Sequence, residues 1–350
     1  MHYGLLEDTP PGQWLPDVLE GFSRQSIPVH EESDRPVTAT LVRHDDVEGL
    51  PLLYIHGWSD YFYNTELADA AARHGHQLYA LDLRKYGRSL RPRQQPGYID
   101  HLAEYDQEIN AALDLIAHEH PGEQPAMIAH STGGLIAALW ANRYPGRLRT
   151  LVLNAPWLTL QGNTWLRGFA NTVADPVWRS MPERKLLLPK VDFFYRTISS
   201  NEHGEWVLHP LWRPRYSFDI HGGWLSAILE GHSKVRAGLA IDVPVLVLVS
   251  TKTHFGAKYS FKMQTADSVL DVEATAKRAT HLGNTVMIHK IPDAIHDVYA
   301  SARPVRDHAF ATTFEWLNYF TGNQMERQSL PRNDGLGRRT SQPHPTGFSD

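Results

Sequence analysis

The sequence predicts an α/β protein built on a doubly wound, mostly parallel sheet. Three observations carry that expectation. Short, near-continuous apolar runs recur along the chain, amphipathic helical spacing separates them, and one run breaks into small residues around a serine. A strand covered by helices on both faces reads as an unbroken apolar run, because neither face meets water.

The elements follow in chain order. Residues 37–42 alternate less cleanly and are expected to begin an antiparallel edge. Residues 52–55 are the first buried strand. Residues 65–74 carry Leu67, Ala70 and Ala71 on one helical face before Gly75 closes the turn. A strand at 78–81 precedes a helical stretch at 98–119, where Ile109, Leu113 and Ile116 share a stripe. Residues 126–129 form a strand, 134–144 a helix stopped by Pro145 and Gly146, and 151–153 another strand. Strands at 243–249 and 285–291 and a helix at 307–320 complete the series.

Between residues 156 and 241 the alternation lapses for far longer than the ~12–15 residues of a plain loop. This stretch holds Trp157, Trp165, Trp178, Trp206, Trp212 and Trp224, six of the ten tryptophans, so it is too apolar for a linker. We expect a helical cap at 156–241 over the carboxyl edge of the sheet. Most of these indoles should pack cap helices together, and a lid so rich in aromatics favours an apolar substrate. Residues 1–155 and 242–322 would form one discontinuous core. Residues 323–350 are polar and expected to be disordered or loosely attached.

Composition narrows the classes. With 350 residues, a formal charge of -5 and a pI near 6.5, the chain lacks the basic balance of a nucleic-acid binder. It has no cysteine, hence no disulfide or thiolate chemistry. Residues 1–28 carry Glu7, Asp8, Asp17 and Glu20 and do not read as a signal peptide. No stretch reaches the ~18 apolar residues that cross a bilayer, so a cytoplasmic protein is expected. Glycine-rich phosphate cradles are missing, which leaves no cofactor to expect. The pairs His74/His76 and His118/His120 lack a third ligand, so no metal is expected either. Arg184 to Lys190 is compatible with transient contact at a membrane surface, but such a run is more often a cap-helix end bearing solvated bases.

The break at Ser131 carries the chemistry. Residues 125–134 read as a strand-to-helix turn in which the serine is forced into a strained conformation. Ala129 and Gly133, two residues to either side, are small enough to permit it. The plain alternative is a structural strand–glycine–helix junction. A serine hydroxyl needs a base, and the base needs an acid to orient it. His296 follows the last strand by a few residues, where a loop could reach Ser131; His281 and His289 are its rivals. Residues 250–266 hold no carboxylate, so Asp267 is the first candidate acid and Asp271 the second, either of which could instead cap the following helix. The Trp58 and Thr132 backbone N–H groups are the candidate oxyanion donors, Trp58 through the turn His56-Gly57-Trp58.

In order, His56-Gly57-Trp58, residues 82–89, residues 129–134, residues 266–271 and Ile295-His296-Asp297 resemble the α/β-hydrolase superfamily. The likeness is to its monoacylglycerol lipase, lysophospholipase and serine aminopeptidase-like branch, across about residues 30–320. The resemblance implies an α/β-hydrolase fold with an eight-stranded sheet, a cap inserted after strand 6, and ester hydrolysis without a cofactor. It maps the nucleophile to Ser131, the base to His296, the acid to Asp267 and the oxyanion donors to Trp58 and Thr132. Ala129 and the long segment before Asp267 are departures from the family pattern. Haloalkane dehalogenases and epoxide hydrolases carry an aspartate in place of Ser131. The expected activity is a serine hydrolase cleaving small-molecule carboxylic esters of apolar acyl chains through an acyl-enzyme. The alternatives are a peptidase or thioesterase using the same residues, or a catalytically weak ligand-binding member of the fold.

Overall fold

β4 (Leu50–Ile55) sends Leu53 and Ile55 into one apolar core and Leu52 and Tyr54 into another. β5 (His76–Asp82), β6 (Ala126–His130), β7 (Leu151–Asn154) and β8 (Val245–Ser250) divide their side chains between the same two cores. That is why these runs are apolar at every position. The computed structural model describes residues 5–32, 35–160 and 181–321.

Helices cover both faces. α2 (Asp106–Glu119), α3 (Thr132–Arg143) and α5 (Gly222–Ala237) pack on the first core. α1 (Thr65–Arg73) and α7 (Arg303–Thr321) close the second through Leu67, Ala71, Phe310 and Phe314. α4 (Phe193–Ile198) and α6 (Val272–Ala279) complete the helices of the described residues. The stretch read as one helix from residue 98 begins later, as a 3₁₀ turn at Leu102–Tyr105 that leads into α2.

Among the described residues the sheet has nine strands in the order β1-β2-β3-β5-β4-β6-β7-β8-β9, ending on β9 (Val286–Ile291). β4 to β9 are parallel, and residues 37–42 lie in β3 (Arg35–His44), where pairing turns antiparallel. β2 (Phe22–Glu32) follows. The resemblance implies eight strands and the sequence pattern marks seven, without β2; the ninth is the two-residue β1 (Leu15–Pro16). It is held by the next residue. Both Asp17 carboxylate oxygens accept hydrogen bonds of 2.7 Å from Arg88, which also bonds Asp82 at 2.9 Å, with all three side chains buried. Burial alone would raise Asp17, but the Arg88 charge and hydrogen bonds outweigh it and hold the carboxyl below its usual range.

β4 connects to β5 on one side and β5 returns to β6 on the other, so the strand order reverses between β4 and β6. Loops leaving two adjacent strand ends in opposite directions open a crevice there, where open α/β sheets bind ligands. The loop after β4 carries His56 to Trp58, and the turn after β6 carries Ser131.

Trp157, Trp206, Trp212 and Trp224 between β7 and β8 are buried. Trp165 and Trp178, and the expected tail at 323–350, lie outside the described residues. Arg184 to Lys190 is not a helix end. It carries a bridge from Lys185 to His221, a Lys185–Asp219 ion pair, and Leu186 buried beside Leu187, which is 92% exposed. Pro189 has no N–H with which to continue a helix through this run. No helix among the described residues is long and apolar enough to cross a membrane.

Candidate active site

Ser131 occupies the single residue between β6 and α3, at φ 51° and ψ -115°. Three backbone bonds hold it there. Its N–H donates to the Asn154 carbonyl at 3.0 Å, and its own carbonyl accepts from Leu135 at 3.3 Å and from Trp157 at 3.0 Å. The small neighbours are sterically required. A Cβ at Gly133 would meet the His56 carbonyl oxygen at 2.2 Å, and one at Gly134 would meet Pro156 at 2.8 Å. Ala129 is accommodated without exposure inside β6.

The His296 loop follows β9 and reaches over the sheet. His296 Nε2 lies 2.9 Å from Ser131 Oγ, and His296 Nδ1 lies 3.0 Å from Asp267 Oδ2. A carboxylate only accepts, so Nδ1 carries the proton and Nε2 presents its lone pair to the serine hydroxyl. All three side chains are buried. His289 and His281 are elsewhere: His289 is in edge strand β9 beside His308, and His281 follows α6.

Asp267 arrives by the looping-out that its distance from β8 demanded. Its N–H donates to the Lys252 carbonyl at 2.9 Å and its carbonyl accepts from His254 at 2.8 Å, so residues 254–266 form a loop pinched shut at its base. The carboxylate is then aimed by its second oxygen, which accepts from the Val269 and Leu270 N–H groups at 2.7 and 2.8 Å. Asp271 does not join. It caps α6, accepting from the Ala274 N–H at 3.0 Å.

The glycine turn after β4 packs on the serine turn. A Cβ at Gly57 would lie 3.2 Å from Ser131 Cβ. His56 fastens the turn to the end of β5, accepting from the Leu83 N–H at 3.1 Å and donating to the Gly57 carbonyl at 2.8 Å. The Trp58 and Thr132 N–H groups therefore belong to two turns in direct contact, and neither has an acceptor among the described residues. The second histidine of the elbow, His130, is buried with its ring 5.0 Å from that of His296. Burial lowers its proton affinity, so it stays neutral beside the imidazole.

Aromatic side chains surround this centre. Trp58 lies 3.9 Å from Trp224 and 6.0 Å from Phe218, ring centre to ring centre, and Phe194 stands edge-on to His296 at 5.1 Å. The residues sequence reasoning missed are polar, and one of them, Asp60, belongs to the loop after β4. Asp60 is buried in an ion pair with Arg213, which draws its carboxyl below the usual range against the opposing effect of burial. A lone aspartate in a loop gives no hint of a partner 153 positions away, and Arg213 sits in a stretch with no strand-helix rhythm. The histidine pairs read for metal have other partners: His76 bonds Asn318, and His120 bonds Gln77 and Glu123.

Residues 51–300 match the family model described as Hydrolase_4, serine aminopeptidase, S33. The chain belongs to this hydrolase family. Monoacylglycerol lipases are among the proteins it is similar to. The monoacylglycerol lipase of Mycolicibacterium smegmatis is 33% identical over 79 residues, covering 23% of this chain and 27% of that enzyme. Epoxide hydrolase 1 of Caenorhabditis elegans is 22% identical over 301 residues, 80% of this chain and 67% of that protein. The solved monoacylglycerol lipase of Paleococcus ferrophilus superposes with a TM-score of 0.56 at 18% identity, over 78% of this chain and 97% of its own. At that identity the superposition establishes the α/β-hydrolase fold.

Proposed function

We propose that this hydrolase is a serine-dependent carboxylic ester hydrolase acting on small molecules with apolar acyl chains, of the monoacylglycerol lipase or carboxylesterase type. The observation that carries the reading is the relay of 2.9 and 3.0 Å contacts from Ser131 through His296 to Asp267. Ser131 Oγ adds to the ester carbonyl carbon while His296 Nε2 takes its proton. The carbonyl oxygen becomes an oxyanion, and the Trp58 and Thr132 N–H groups donate to it. Asp267 keeps the imidazole in the tautomer that accepts at Nε2 and stabilises the imidazolium. The intermediate collapses with cleavage of the C–O bond, and His296 returns the proton to the leaving alkoxide. Water then repeats the sequence on the acyl-enzyme and releases the acid.

The aromatic surroundings of Trp58 support an apolar acyl group. Residues 156–241 act in this reading as a cap. The Phe218 N–H donates to Ser59 Oγ at 3.1 Å and the His209 N–H to Tyr61 Oη at 2.9 Å, which ties that stretch to the turn after β4. A serine at 131 separates the chain from epoxide opening, for which the resemblance implies an aspartate. The family description makes aminopeptidase action the second reading. A fluorophosphonate probe should label the wild type and lose its target in Ser131→Ala. p-Nitrophenyl esters of graded chain length, run beside prolyl amides and acyl thioesters, should give turnover on the esters. Faster turnover of the amides would favour the peptidase, and an unlabelled, inactive wild type would remove the serine mechanism.

A further inference from the structure

Ser131 and His296 come from loops 165 positions apart, and one residue bridges them, by its backbone on one side and its side chain on the other. Asn154 ends β7, the strand beside the elbow strand β6. Its carbonyl accepts from the Ser131 N–H at 3.0 Å and bonds His130 Nδ1 at 3.1 Å. Its side chain faces the other way. Nδ2 donates to Asp297 Oδ1 at 2.6 Å, and Oδ1 accepts from the Val298 N–H at 3.1 Å. Asp297 is the residue after His296, and its Oδ1 also accepts from the Tyr299 N–H at 3.1 Å. Asn154, Asp297 and Val298 are all buried, so no water competes for these bonds.

We infer that Asn154 is a positioning residue that fixes the Ser131–His296 distance by tying the elbow backbone to the histidine loop through Asp297. The inference rests on Ser131 and His296 being the reacting pair. Asp267 orients the imidazole ring, but its own loop is fastened to Lys252, Thr253 and His254 just after β8 rather than to the elbow. Asn154 holds both loops at once, the elbow through its carbonyl and the histidine loop through its side chain. A carboxyamide suits the role because it donates to one group and accepts from the other; an aspartate in its place would oppose Asp297.

The test uses the full-length protein with a soluble p-nitrophenyl ester, thermal melts to establish folding, and fluorophosphonate labelling. Asn154→Ala should lower kcat about 10- to 100-fold with KM within about twofold, the signature of a displaced reacting group. Asn154→Asp should be similarly impaired at neutral pH, because two carboxylates then face each other. Combining Asn154→Asp with Asp297→Asn restores the hydrogen bond with donor and acceptor exchanged, and should return kcat to within about fivefold of wild type. A merely structural role would move melting temperature without this rescue. Folded Asn154→Ala at wild-type kcat, or a double variant no better than Asn154→Asp, overturns the inference. A wild type that is neither labelled nor active removes the serine reading beneath it instead, and the inference with it.

Discussion

The carbonyl oxygen of His56 occupies the space that a side chain on Gly133 would need, 2.2 Å from the position of its Cβ. The serine turn and the turn that presents Trp58 thus touch backbone to backbone. Gly133 is required for contact between two loops as well as for the strained conformation of Ser131.

Gly133→Ala should therefore separate the two turns. Because the obstacle is main chain, no rotamer change relieves it, and a destabilisation of about 1–3 kcal/mol is expected. Turnover should fall further than stability, by at least about 100-fold, since the Trp58 and Thr132 donors lose their alignment. Gly134→Ala meets the Pro156 ring rather than a turn and should be milder in turnover. Equal effects of the two substitutions on kcat in folded protein would show that contact between the turns is irrelevant to the reaction.

Asp267 and Asp271, four residues apart, should separate cleanly in their effects. Asp267→Asn leaves the fold but removes the acceptor that holds the His296 proton at Nδ1, and kcat should fall by about 10³–10⁴. Asp271→Ala loses only the bond to Ala274 and should reduce stability by about 1 kcal/mol with turnover near wild type. Parallel urea melts and ester assays read both. Near-wild-type turnover in Asp267→Asn would take the acid role from that residue.

The parts of the candidate site legible in the sequence are those whose constraints act between chain neighbours. Ser131 announces itself because a strained turn demands small residues two positions away on each side. His296 follows from its place after the last apolar strand. Asp267 was legible only as the first carboxylate available. What brings it back is the pairing of its backbone with Lys252 and His254, and main-chain hydrogen bonds leave no mark on residue type. Asn154 and the Arg88–Asp17 pair were invisible for a related reason. Each is an ordinary polar residue whose partner is fixed by the packing of distant elements. The sheet behaves the same way: fully buried strands were read within a residue or two, whereas β1, two residues long and held by an ion pair, has no pattern to read.

His232 makes stability depend on mild acid. The ring lies on α5 with Nε2 donating to the Trp157 carbonyl at 2.8 Å, and Trp157 in turn donates its N–H to the Ser131 carbonyl. Burial lowers the His232 pKa from 6.5 to about 4, the Trp157 bond opposing and the Arg278 charge adding slightly. The unfolded chain binds the proton at the ordinary value, so between about 6.5 and 4 unfolding takes up a proton that the folded state refuses. Stability therefore falls as pH falls through that window and flattens below it, with about 3 kcal/mol at stake for this one group. His232→Gln removes the titration. It should be less stable than wild type near pH 7.5, where the imidazole packs neutral, yet lose less on acidification, with the unfolding free energy shallower by close to one proton between 6.5 and 4. Urea midpoints measured across that range give the slope directly. Identical slopes in the two proteins would mean that His232 is protonated in the native state and that the Trp157 contact is made by a charged ring.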